Sequence, residues 1–118
     1  MKYLAPDESV TVARRLGTIT KAREIRVGTR GPVVCLFVDT APVPMLTPDA
    51  HRLGFSLIRE ADLCVADAAL IIVMTVNGTE VEIPPVNARQ IGVALLRRSD
   101  TADDFQLNNR VTAINPRI

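Results

Sequence analysis

The chain has 118 residues, enough for one well-buried domain and too few for two. With 47% hydrophobic and 23% charged residues it is not a disordered chain, and only 3% aromatic residues call for an aliphatic core. Fourteen basic against thirteen acidic residues leave a formal net charge of +1, which removes any compositional case for a histone-like or acid-tailed protein.

The first eight residues lack the charged segment and apolar run of a signal peptide. The longest apolar stretch, from Ala68 to Val76, is interrupted only by Thr75 and is far shorter than the roughly 20 residues of a membrane helix. Cys35 and Cys64 stand in apolar surroundings, as thiols do in a reducing compartment. The expectation is a single cytoplasmic domain over residues 1–118 without membrane contact. Residues 1–31 read as an N-terminal β-ribbon, with modest strand character at Val10–Ala13, Thr18–Thr20 and Arg23–Val27. Gly28-Thr29-Arg30-Gly31 is expected to turn the last of these onto the next strand.

From Val33 onward the sequence matches itself at a shift of 38. Val33–Asp62 aligns with Ile71–Asp100 without a gap, and seven of thirty pairs are identical. Unrelated stretches share about two. Each unit, 33–62 and 71–100, reads as strand, turn, short strand, helix. The first strands, Val33–Val38 and Ala69–Val76, are apolar almost throughout. Asp39-Thr40 and Asn77-Gly78 are the hairpin turns. The second strands run around Ala41–Leu46 and Thr79–Ile83, and Pro42 and Pro44 send the former to an edge, because proline has no ladder donor.

The helix of the first unit starts with Thr47 as N-cap and Pro48 behind it. Ala50, Leu53, Gly54, Leu57, Ile58 and Ala61 form one apolar stripe, repeated by Ala88, Ile91, Gly92, Leu95, Leu96 and Ser99. Glycine costs a helix about 1 kcal/mol against alanine, so Gly54 and Gly92 are expected to let each helix approach the sheet. Residues 101–118 read as a polar C-terminal segment with a short strand at Arg110–Ile114. The fold expected is α+β, in the order β-β-β-β-α-β-β-α. A duplicated ββα unit places both helices on one face of an antiparallel sheet, preceded by the N-terminal ribbon. Strands apolar on both sides need a second cover, so a homodimer is expected.

The segment Leu46-Thr47-Pro48-Asp49-Ala50-His51-Arg52-Leu53-Gly54 resembles the strand-hairpin plus "LTPxxAxxLG" helix of small uncharacterised proteins of actinobacteria and their phages. The resemblance covers Val33–Asp62 and its second copy and implies no activity. It suggests a phage or bacterial accessory protein, a class rich in host-directed binders.

No catalytic motif is present: there is no G-x-S-x-G, Walker loop or G-x-G-x-x-G. The one histidine, His51, lies off the apolar stripe without a positioned partner in sequence, and its repeat counterpart is Arg89. Ser56 and Ser99 lie within helices. Asp62, Asp67, Asp100, Asp103 and Asp104 follow the helices without EF-hand spacing, and there is no Cys-x-x-Cys, so neither a metal nor a cofactor is expected.

Charge distribution is more informative than net charge. Residues 1–30 hold seven basic and three acidic residues (+4), residues 31–76 two and five (−3), and residues 77–118 five of each. A basic surface is expected from Arg14, Arg15, Lys21, Arg23, Arg26 and Arg30, joined by Arg89, Arg97 and Arg98 of the second helix. It suits a non-enzymatic binding protein that acts through a protein–protein interface. A phosphate-bearing nucleotide held by Arg23, Arg26 or Arg30 is one alternative. Weak nucleic-acid binding is another, without an aromatic stacking platform to help it.

Overall fold

Asp39 and Asn77 take positive φ values of 56° and 50°, a conformation Asp and Asn tolerate, and each closes a two-residue hairpin turn. The computed structural model describes residues 10–65 and 68–114, with side chains through Leu107. The first turn joins β3 (Val33–Val38) to β4 (Ala41–Met45), and the second joins β5 (Leu70–Val76) to β6 (Thr79–Ile83). Registers match at the shift of 38: Val34 faces Met45, and Ile72 faces Ile83. Pro42 and Pro44 sit on β4, an edge strand, where missing donors break no ladder.

The element order is β1 (Thr11–Leu16), β2 (Ile25–Arg30), β3, β4, α1 (Thr47–Asp62), β5, β6, α2 (Pro85–Ile114). The protein is α+β, with two antiparallel three-stranded sheets rather than one: β2-β3-β4 and β1-β5-β6. The two N-terminal strands do not pair with each other as a ribbon. Instead β1 lies along β5 and β2 along β3, each extending a different hairpin. A half-polar edge strand buries more apolar surface against an apolar hairpin than against another half-polar strand. Residues 1–9 of the expected ribbon lie outside the described residues. Thr18–Thr20 is not a strand, and the turn before β3 is Gly31-Pro32, since Gly28, Thr29 and Arg30 still pair with β3.

One buried cluster serves both sheets and both helices. Val34, Leu36 and Val38 of β3 and Ile72, Met74 and Val76 of β5 meet Leu53 and Leu57 of α1 and Leu95 and Ala102 of α2 within it. The opposite faces of β3 and β5 are also covered within one chain: Cys35, Ile71 and Val73 are buried. Arg15 faces Ile71, and its ion pairs to Glu80 and Glu82 span that side of β5. On the other sheet the Arg26 guanidinium sits 5.4 Å above the Phe37 ring. Within one chain, then, these positions on the outer faces of β3 and β5 are already buried.

The helices cross over. α1, leaving the β2-β3-β4 sheet, packs on β1, and α2, leaving the other sheet, packs on β2. They meet each other at Gly54 and Gly92. A Cβ on Gly54 would lie 2.9 Å from the Gly92 carbonyl oxygen, and one on Gly92 would lie 2.6 Å from that of Gly54. The glycines therefore serve a helix–helix contact, where the sequence suggested a helix–sheet one.

Two helix boundaries differ from expectation. The N-cap of α1 is Leu46, without a side-chain cap, and Thr47 and Pro48 already belong to the first turn. Residues 101–114 of the polar C-terminal segment, including the expected strand at Arg110–Ile114, instead form the second half of the 30-residue α2, and residues 115–118 lie outside the described residues. The stripe runs on through Ser99 to the fully buried Ala102, and neither Gly nor Pro interrupts it before Pro116. Phe105 then contacts the turn at Gly31.

Gly92→Ala forces a methyl group onto a backbone oxygen that cannot rotate away. Over-packing costs about 1–3 kcal/mol, more than the about 1 kcal/mol that alanine returns in helix propensity. Chemical denaturation should show a net loss for Gly92→Ala and for Gly54→Ala. Stability at or above wild type in both would contradict the close crossing.

Candidate functional site

The fold neutralises most of the basic N-terminal segment. Arg14 Nε lies 3.2 Å from Glu60 of α1. Arg15 reaches Glu80 at 3.2 Å and Glu82 at 2.5 Å. Arg23 meets Asp39 at 3.1 Å, and Arg26 meets Glu24 at 3.5 Å. Each partner except Glu24 comes from a distant part of the sequence. Lys21 and Arg30 are exposed, without a carboxylate within 4.0 Å among the described residues.

Glu82 organises the connection between β1 and β2. Its Oε1 accepts hydrogen bonds from the Thr20 backbone N–H (2.8 Å), the Thr20 hydroxyl (2.8 Å) and the Lys21 backbone N–H (3.1 Å). These donors hold the carboxylate ionised, most of all the Thr20 backbone and hydroxyl, with Arg15 adding a smaller attraction. Its pKa falls from 4.5 to about 2. The segment that carries the chain from one sheet to the other is thus pinned by one side chain of β6. It borders a groove of about 530 Å³ between β2 and α2, walled by Ile25, Val27, Ile91 and Ala94.

The three arginines of the second helix border one groove but differ in their pairing. Arg89 Nη1 lies 2.6 Å from Asp62, joining the start of α2 to the end of α1. Arg97 and Arg98 are exposed and have no carboxylate within 4.0 Å among the described residues. With Gln90, Val93, Ala94 and Thr101 they stand at positions i, i+3, i+4, i+7, i+8 and i+11, a second stripe distinct from the buried one. This stripe borders a groove of about 570 Å³. The nine basic residues expected to share a surface therefore divide into four paired N-terminal arginines, the exposed Lys21 and Arg30, and a short basic ridge on α2.

Sequence reading also passed over one constellation. His51 of α1 and Asp100 and Asp103 of α2 bring their side-chain donor atoms within 4.8 Å of one another. The available signal was the i, i+3 spacing of the two aspartates, which puts both on one side of a helix. Of the other aspartates that follow the helices, Asp62 pairs with Arg89, Asp104 is exposed outside the cluster, and Asp67 lies outside the described residues. Cys35 is buried, and the Cys64 thiol donates to the Glu60 carbonyl at 3.4 Å. Searches against protein-family models, curated proteins and solved structures found no match to this chain.

Glu82 yields a pH prediction. Because its folded pKa is depressed, its stabilising contribution is complete above pH 4.5 and is lost as the pH falls toward 2. The stability difference between wild type and Glu82→Gln, measured by denaturation, should be widest above pH 4.5 and narrow on acidification. A difference constant from pH 6 to pH 2 would contradict the assignment.

Proposed function

We propose that the chain is a non-enzymatic binding protein whose docking surface is the exposed ridge of α2. The observation that carries this reading is the contrast among its arginines. Those of β1, β2 and their connection are largely committed to carboxylates of the same chain, whereas Arg97 and Arg98 line a groove whose walls include no carboxylate. Two guanidinium groups beside Val93 and Ala94 complement an acidic protein face with a small apolar centre. The partner is accordingly an acidic protein segment.

The nucleotide alternative relied on Arg23, Arg26 and Arg30. Its support is weaker, because Asp39 and Glu24 compete for the first two. Nucleic-acid binding draws on the same ridge and separates from the leading reading by experiment.

The rest of the proposal follows the sequence. The two ββα units are read as copies of one ancestral unit, supported by their matching hairpin registers and by the near-symmetric glycine contact. Self-association stays within the proposal on a different footing, the exposed Leu63, Val65 and Val86 around the end of α1 and the start of α2. A cytoplasmic setting and an accessory role of the phage or bacterial kind complete it. No helix among the described residues is long and apolar enough to cross a membrane.

The test is fluorescence anisotropy with a labelled poly-glutamate peptide and, separately, a labelled DNA duplex. The proposal predicts that wild type binds the peptide and that Arg97→Ser/Arg98→Ser weakens it at least tenfold, about 1.4 kcal/mol, while Arg14→Ser leaves it unchanged. Equal peptide affinity in wild type and the double variant would overturn the proposal. Duplex binding that exceeds peptide binding and falls steeply with salt would replace it with nucleic-acid recognition.

A further inference from the structure

His51 stands in the second turn of α1, opposite Asp100 and Asp103 of α2. Its Nε2 lies 3.8 Å from Asp100 Oδ1, and the donor atoms of all three residues fall within 4.8 Å of one another. That nitrogen is shielded from solvent and has no hydrogen-bond partner, although the His51 side chain as a whole is 40% exposed. The edge of the Phe55 ring system, 6.2 Å away between centroids at an interplanar angle of 65°, offers it no acceptor or donor. A ring nitrogen withheld from water without a partner costs free energy, so it points to a missing contact.

The other half of the molecule shows what such a contact looks like. At the shift of 38, His51 corresponds to Arg89 and Asp100 to Asp62, and those two form a 2.6 Å ion pair between the helices. There a guanidinium brings the positive charge itself. Asp103 corresponds to Val65, so the Arg89 side has one carboxylate for one cation. The His51 side has two carboxylates and an imidazole, with no Lys or Arg pairing to Asp100 or Asp103 among the described residues. Its charge balance is that of a site that takes its cation from solution.

We propose that His51, Asp100 and Asp103 bind a first-row divalent transition ion. His51 Nε2 and one oxygen from each aspartate supply the protein ligands, and water fills the remaining positions. One imidazole with two carboxylates suits zinc, cobalt or manganese better than calcium, which takes oxygen ligands alone. The ion joins α1 to α2 on the side of the glycine crossing where no arginine does so.

The test is isothermal titration of the full chain with Zn²⁺ in a Cys64→Ser background, which removes a competing half-buried thiol. One ion per chain is expected. His51→Ala and Asp103→Asn should each weaken binding at least tenfold, with Asp104→Asn, one residue outside the cluster, unchanged. Mn²⁺-induced broadening of NMR signals reads the same site without any substitution and should centre on His51, Asp100 and Asp103. Absence of Zn²⁺ uptake, affinity unchanged in both ligand variants, or broadening centred elsewhere would overturn the assignment.

Discussion

The architecture depends on two helix backbones touching. Gly54 and Gly92 are the positions at which each helix presents no side chain to the other, and each stands against the other's carbonyl oxygen. Because the contact is this close, α1 can cross from its own sheet to β1 and α2 can cross to β2. Among the described residues the sheets share no hydrogen-bonded strand pair, so the crossed helices and the side chains packed around them, with Glu82 holding the connection between β1 and β2, join them. A bulkier residue at the crossing would separate the helices, and with them the apolar faces that Leu57 and Leu95 close.

Around this crossing the same plan occurs twice with different chemistry. One side of the helix pair is tied by Arg89 and Asp62, and the other presents His51, Asp100 and Asp103. One sheet has its outer face spanned by Arg15 and two glutamates, and the other by Arg26 over Phe37. In both halves the backbone plan is alike and the means of balancing charge differs. Polar positions tolerate such change more readily than the buried stripe, where volume is constrained on all sides. The exposed ridge of α2 lies outside the packed core, so side chains there are not constrained in volume on all sides.

What the sequence made legible was local. The helical stripes, the positive-φ residues at both hairpin turns and the edge placement of a strand with two prolines all follow from interactions within a few residues. What it left hidden was non-local. Gly54 announces a close approach but not to what, since a sheet and a second helix demand the same missing side chain. β1 pairs with residues 54 to 64 positions away and β2 with residues 3 to 13 positions away, by a competition among strands that composition does not resolve. The +4 charge of the N-terminal segment held along the chain and not in space, because Glu60, Glu80, Glu82 and Asp39 return to meet it. Ala102 was the one local clue that α2 continues, and the polar residues around it concealed that clue. The His51 cluster was out of reach for the same reason, since His51 lies about fifty residues from Asp100 and Asp103 in sequence and meets them only once the helices cross.

The most direct test of this account is the helix crossing itself, observed in solution by NMR. Strong interhelical NOEs between the α-protons of Gly54 and Gly92, with further NOEs from Ile58 to Gly92 and from Leu96 to Gly54, are the predicted result. Helices that show NOEs only to their own sheets, with none linking Gly54 to Gly92, would contradict it.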